Sequence, residues 1–226
     1  MVVVPYAALR IVLIVLMRLL WRVRVENLDQ VPRTGGFLIA ANHLSFIDSL
    51  VIPVVVPRRV AFLAKAEYFE GRGVRGALRR WWFRGIGAVP VRRGSHGEAM
   101  ASLQIALQVL RDGDGFGIYP EGTRSRDGRV YRGRTGVAWL ALASGAPVVP
   151  VGLTGTDRVQ PVGARLPRIA PVTVRFGAPL LPQDYQALPA GAARRRMTDD
   201  VMAAVAQLSG QEVAAGYSPA SGQGPA

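Results

Sequence analysis

Cysteine is missing from this 226-residue chain, lysine occurs once and histidine twice. Without cysteine there is no disulfide, no thiolate nucleophile and no thiolate-bound metal, and two histidines alone argue against a zinc site. Neither redox setting is excluded, because a cysteine-free chain can live in both. In the apolar amino-terminal stretch the longest clean run, Ile11 to Met17, is far short of the about 20 residues a spanning helix requires. A G-x-S-x-G elbow and a Walker A sequence are both absent, which argues against an α/β-hydrolase and a P-loop protein. Acidic residues are the minority, 15 against 28 basic ones.

The resulting net charge of +13 favours an anionic partner: nucleic acid, lipid headgroups or a phosphorylated substrate. Half of the residues are apolar, enough for a sizeable core, and the length suits one domain. Residues 1–26 (MVVVPYAALRIVLIVLMRLLWRVRVE) read as an apolar membrane-associating segment. There, Arg10, Arg18, Arg22 and Arg24 would sit at headgroup level with apolar faces buried. The competing reading is a helix buried in the core. No signal-peptide cleavage site is evident. A domain over 27–215 and a disordered tail over 216–226 complete the expected organisation.

Along the chain, short apolar runs alternate with helical periodicity. Phe37–Ala41, Val60–Ala64, Ala88–Val91, Phe116–Tyr119, Val148–Val151 and Val172–Phe176 read as strands. Helices are expected from Ser45 until Pro53 and Pro57 end it, over Arg75–Phe83, after a capping box at Ser95 to Glu98, over Thr135–Ser144, and around Met197–Leu208. This alternation predicts an α/β fold: a largely parallel mixed sheet flanked by helices.

Two stretches carry chemistry. In Asn42-His43-Leu44-Ser45-Phe46-Ile47-Asp48 a histidine follows a strand and an aspartate follows five residues later. That carboxylate can reach back to fix the imidazole tautomer and stabilise the imidazolium, leaving the other ring nitrogen to take a proton from a hydroxyl. Ser45 and Asp48 equally fit an S-x-x-D capping box, so the spacing alone leaves both readings open. In Tyr119-Pro120-Glu121-Gly122-Thr123-Arg124-Ser125 a strand end projects a carboxylate, a hydroxyl and a guanidinium, and the guanidinium suits bidentate phosphate binding. Arg92, at the end of Gly87–Arg93, and Lys65, the single lysine, are weaker signals of the same kind.

Together these residues resemble the PlsC-type family of 1-acylglycerol-3-phosphate acyltransferases. Asn42, His43 and Asp48 match its N-H-x-x-x-x-D motif. Gly87, Pro90 and Arg92 match a G-x-x-P-V-x-R block, Pro120 to Ser125 match F-P-E-G-T-R-S with Tyr119 in place of phenylalanine, and Val149-Pro150-Val151 match a V-P-V strand. Lys65 falls where the family often has lysine, and Tyr131-Arg132-Gly133-Arg134 departs from its F-K-x-G. The resemblance implies acyl transfer from an acyl thioester, acyl-CoA or acyl carrier protein, to the hydroxyl of a lysophospholipid, most simply 1-acyl-sn-glycerol 3-phosphate. By the same resemblance His43 and Asp48 are catalytic, and Lys65, Arg92, Glu121, Gly122, Thr123 and Arg124 bind substrate. It implies no cofactor and no metal, and a place on the cytoplasmic face of the cell membrane. The amides of Leu44 and Ser45 are candidate oxyanion donors.

Other acceptors, a lyso-aminolipid or a glycolipid, fit the same motifs. Outside the enzymes, the rival is a basic membrane- or nucleic-acid-binding module: Arg72 to Arg93 holds seven arginines around Trp81-Trp82-Phe83 and no acid. The apolar amino terminus favours lipid over nucleic acid. The lone G-x-G-x-x-G match at 71–76 lies too far beyond its strand to mark a dinucleotide site.

Overall fold

The unbroken apolar run Phe37–Ala41 forms a strand buried on both faces, as the centre of a parallel sheet requires. A computed structural model describes residues 6–65, 70, 73–74, 76–77, 88–91, 96–164 and 166–219, and builds a seven-stranded sheet around that strand. In chain order the strands are β1 (Arg24–Glu26), β2 (Phe37–Ala41), β3 (Val60–Lys65), β4 (Ala88–Val91), β5 (Gly115–Ile118), β6 (Val148–Thr154) and β7 (Thr173–Phe176). Across the sheet they run β1-β7-β6-β2-β5-β3-β4, parallel at every pairing except β6 with β7. The expected largely parallel mixed sheet is therefore present.

Successive residues of β2 serve two cores, because side chains alternate across a strand. Phe37, Ile39 and Ala41 join Leu13, Met17 and Trp21 of helix α1 (Tyr6–Trp21) and Val51 and Ile52 of helix α2 (Asp48–Val55). Leu38 and Ala40 face the helices His96–Arg111, Gly136–Ser144 and Ala190–Ser209. The expected boundary at residue 26 coincides with the end of β1, itself a member of the sheet. In β5 a Cβ added to Gly117 would lie 2.0 Å from the Phe62 ring, so only glycine lets that ring cross the strand there.

Several expectations change in detail. The helix α2 continues through Pro53 to Val55, with the Pro53 ring buried, and so stops only before Pro57. Arg10 is not free for a headgroup: its Nε donates to the Val54 carbonyl at 2.9 Å and its Nη2 to that of Val55 at 3.5 Å. A cation at the carboxyl end of α2 meets carbonyls that have no intrahelical partner. The expected disordered tail starts too early. The Gly216 carbonyl accepts from the Arg132 amide at 2.8 Å, and the guanidinium groups of Arg132 and Arg134 lie 5.4 and 5.9 Å from the Tyr217 ring. The helix expected over Arg75–Phe83 and its successor's cap at Ser95 fall almost wholly outside the described residues.

The strand register sets the positions of two residues at the end of the sheet. Ala40 pairs with Ile118 and Ala41 with Val151. His43 and Glu121 each lie three residues beyond the first of these pairs, side by side at the carboxyl edge of the sheet. This is the edge at which parallel α/β sheets hold their ligands.

Candidate active site

Asn42 leads the chain off β2. Its buried amide clamps β6: Oδ1 accepts from the Leu153 amide at 2.7 Å and Nδ2 donates to the Leu153 carbonyl at 2.9 Å. His43, thus anchored from behind, turns its ring toward Asp48 in the first turn of α2. His43 Nδ1 and Asp48 Oδ2 are 2.8 Å apart, and the aspartate is wholly buried while 17% of the histidine side chain remains accessible. The same Oδ2 accepts the amides of Leu44 and Ser45, each at 2.8 Å. An oxygen that already accepts two amides is a carboxylate acceptor, so the Nδ1 proton lies between the ring and Asp48, which leaves Nε2 as the ring's acceptor nitrogen. The two readings of the spacing are both realised. Asp48 satisfies the turn's amides and also holds the histidine. Ser45 completes no reciprocal box: its hydroxyl donates to the Gln160 carbonyl at 2.8 Å and accepts the Ile47 amide at 3.4 Å, while the Asp48 amide donates to the Ser45 carbonyl.

This arrangement corrects one expectation. The amides of Leu44 and Ser45 point at Asp48 and are not available to an oxyanion.

Tyr119 closes the other side of the imidazole. The rings are stacked with centroids 3.8 Å apart and planes 8° from parallel, and the phenol bonds the Ser49 hydroxyl at 2.9 Å. Burial, reinforced by the nearby Asp48 charge, holds the Tyr119 phenol well above its ordinary pKa, so it stays neutral.

Glu121 faces inward. Only 1% of it is exposed, and its oxygens accept the His43 amide at 3.1 Å and the Tyr131 amide at 3.0 Å. The expectation of a substrate-binding side chain at 121 thus gives way to a strut between the histidine turn and the loop beyond Arg124. Burial pushes its pKa up to about 7, with the Asp48 and Asp127 charges adding and the two backbone hydrogen bonds opposing.

The loop beyond Glu121 is fixed to the same turn. The Ser125 amide donates to the His43 carbonyl at 2.7 Å, and Gly122 turns the chain at φ 80°, a conformation that favours glycine. His43, Tyr119, Gly122, Thr123 and Arg124 line one cavity of about 350 Å³, with Phe62 and Leu63 as its apolar wall. Arg126 adds a second guanidinium to it. Of the residues expected from sequence, His43, Asp48, Gly122, Thr123 and Arg124 therefore converge. Lys65 ends β3, which neighbours β5 in the sheet, but its side chain lies outside the described residues, as does Arg92 altogether. Among the described residues no group of histidine, cysteine, aspartate or glutamate is arranged to hold a metal ion. Ser49, the Tyr119 stacking and Gln211, whose side chain bonds Asn42 at 2.5 Å, were missed, and only the tyrosine in a phenylalanine position signalled any of them.

The acyltransferase family model matches residues 22–154, more than half of the chain, and takes in the dyad, the cavity loop and β6. The chain belongs to the acyltransferase family. It is an O-acyltransferase by that membership, and its relatives agree. It is 28% identical over 188 residues to the 1-acyl-sn-glycerol-3-phosphate acyltransferase of Bacillus subtilis, covering 82% of this chain and 87% of that protein. The chloroplastic 1-acyl-sn-glycerol-3-phosphate acyltransferase LPAT1 of Arabidopsis thaliana is 27% identical over 145 residues, but this acyltransferase spans only 39% of its length. The crystal structure of the 1-acyl-sn-glycerophosphate acyltransferase PlsC from Thermotoga maritima superposes with a TM-score of 0.66 at 27% identity, covering 85% of this chain and 74% of that one.

Proposed function

We propose that this acyltransferase moves a fatty acyl group from an acyl thioester, acyl-CoA or acyl carrier protein, to the free hydroxyl of 1-acyl-sn-glycerol 3-phosphate, giving phosphatidic acid. The observation that carries the reading is the 2.8 Å contact of His43 Nδ1 with Asp48, in a cavity that Arg124 also lines. A general base and a phosphate-binding cation then meet one small molecule that carries a hydroxyl and a phosphate. His43 Nε2 takes the proton as the acceptor oxygen attacks the thioester carbonyl. The tetrahedral intermediate collapses with loss of the thiolate, which the imidazolium protonates. Asp48 holds the ring and offsets its charge, and general-base catalysis by His43 contributes about 10² to 10⁴ in rate. No protein nucleophile is involved, and transfer is direct. Arg124 binds the acceptor phosphate, with Lys65 and Arg92 as further cations and Thr123 and the Gly122 backbone beside them.

The reading extends to the membrane. Ile11, Val12, Val15, Leu16 and Leu19 form an exposed apolar stripe on α1, with Leu19 as much as 73% exposed, and Arg18 and Arg22 lie beside it. Among the described residues no helix is long and apolar enough to cross a membrane. An apolar stripe edged by arginine suits a helix lying in the headgroup region of an anionic bilayer, on its cytoplasmic face.

Transfer of labelled acyl-CoA or acyl carrier protein to lysophosphatidate tests the reading, with His43→Ala compared to the natural protein. Activity that disappears in the variant supports it. Equal turnover in both proteins sinks the His43 mechanism.

A further inference from the structure

Gln211, a residue outside every motif, forms a polar bridge between the histidine turn and the cavity loop. Gln211 directly follows the carboxyl end of the helix Ala190–Ser209, after the left-handed cap at Gly210. Its Oε1 accepts the Asn42 side-chain amide at 2.5 Å, and its Nε2 donates to the Gly128 carbonyl at 2.6 Å. Asn42 immediately precedes His43, and Gly128 is four residues beyond Arg124. One side chain therefore touches the turn that holds the base and the loop that holds the cation.

The chain beyond Gln211 runs along the same loop as a strap. The Val130 amide donates to the Glu212 carbonyl and the Ala214 amide to the Val130 carbonyl, both at 2.9 Å, while Val213 forms a parallel bridge with Val130. These bonds hold the far end of the loop. Its near end hangs from the Ser125 amide on His43 and from Glu121. In between, Arg124 and Arg126 to Arg129 are exposed, and among the described residues the Gln211 bond to Gly128 pins that stretch from outside the loop.

We propose that Gln211 is a positioning residue for the acceptor: it fixes the separation between His43 and the Arg124 guanidinium. The inference rests on the reading of Arg124 as the phosphate-binding group. A loop released at Gly128 has to be ordered when the acceptor binds, and that ordering weakens binding of the ligand whose phosphate the loop holds. The donor thioester, which does not depend on Arg124, is unaffected.

The test compares Gln211→Met, Gln211→Glu and Arg124→Ala with the natural protein, well below the melting temperature of each. Methionine keeps the stem and removes both polar ends. Glutamate keeps an acceptor for Asn42 but presents a carboxylate to the Gly128 carbonyl. Both Gln211 variants are expected to raise the acceptor KM about fivefold or more, with the donor KM within about twofold of the natural value. Hydrogen exchange is expected to quicken over 123–128 and to stay unchanged in β2. A merely structural staple lowers the melting temperature and leaves both KM values alone, and that result overturns the proposal. A rise confined to the donor KM overturns it as well. Arg124→Ala separates the two levels. If it raises the acceptor KM and the Gln211 variants do not, the Gln211 role alone falls. If Arg124→Ala leaves the acceptor KM unchanged, the phosphate assignment falls, and the positioning role that rests on it falls too.

Discussion

Tyr119 lies flat against His43, the two rings 3.8 Å apart and within 8° of parallel. A phenol ring in that position limits rotation of the imidazole and so holds its ring nitrogens in one orientation. The hydroxyl adds a tether through Ser49, the neighbour of Asp48. Tyr119→Phe keeps the ring and loses only the tether, so kcat is expected to stay within about threefold while stability falls by about 1 kcal/mol. Tyr119→Ala removes the stack, and kcat is expected to fall about tenfold or more. Steady-state rates with a thermal melt separate the two, and equal kcat in Tyr119→Ala and the natural protein would show that the stack does not matter.

Asp48→Asn removes the charge from the oxygen that accepts three donors, and its amide nitrogen, where it turns toward them, offers a donor in place of that acceptor. The expected loss in kcat is about 10² to 10⁴, from misorientation of the ring and loss of its counter-charge. Acceptor KM should move far less than kcat, because Arg124 and the loop stay in place. A kcat within tenfold of the natural protein would remove Asp48 from the mechanism.

Glu121 gives a pH signature. Its pKa is raised from 4.5 to about 7, so the folded state binds a proton that the unfolded state has lost between those values. Stability from this group is therefore full below pH 4.5 and is lost as pH rises through about 7. Glu121→Gln does not titrate, but its amide nitrogen faces a backbone N–H and it melts lower at low pH. The gap between the natural protein and the variant is expected to shrink from pH 5 to pH 8, by an amount on the order of 2–3 kcal/mol. Melting curves at the two pH values decide it, and a constant gap contradicts the buried carboxylate's titration.

On α1 the prediction concerns the exposed stripe. Ile11→Asp combined with Leu19→Asp places charges where both side chains face solvent, so melting temperature should change little. Sedimentation with vesicles of phosphatidylglycerol should lose most of its bound fraction, since each buried apolar side chain contributes about 1.5–3 kcal/mol. Unchanged sedimentation would assign membrane contact to another face.

How much of the site was legible in sequence depended on distance along the chain. The spacing of His43 and Asp48 allowed either a dyad or a helix cap, and the motifs standing in order along the chain favoured the dyad. The contacts of Tyr119 with Ser49 and of Gln211 with Asn42 could not be read, because they join elements that meet only once the sheet has formed. Arg10 was misread for the same reason. Beside an apolar run it resembles a headgroup ligand, and only the packed helix reveals the bare carbonyls of Val54 and Val55. The strand β1 has three residues, too few to show a period of two. Val60 to Ala64 and Phe37 to Ala41, by contrast, are apolar runs of the length a parallel strand needs, and both lie in strands, the first extended by one residue to Lys65.

The pairing of Ala40 with Ile118 also acts as a ruler. His43 and Glu121 stand at equal counts past it, so their separation is measured out in residues of β2 and β5. One residue inserted within Phe37–Ala41 would carry His43 about 3.3 Å along the strand and turn it to the opposite face. The same insertion between Arg33 and Gly35, before β2 begins, would lengthen only an exposed turn. Length variation in this molecule is thus confined to one side of a boundary that the hydrogen-bond ladder itself draws, and the distance between base and strut is counted before any side chain is placed.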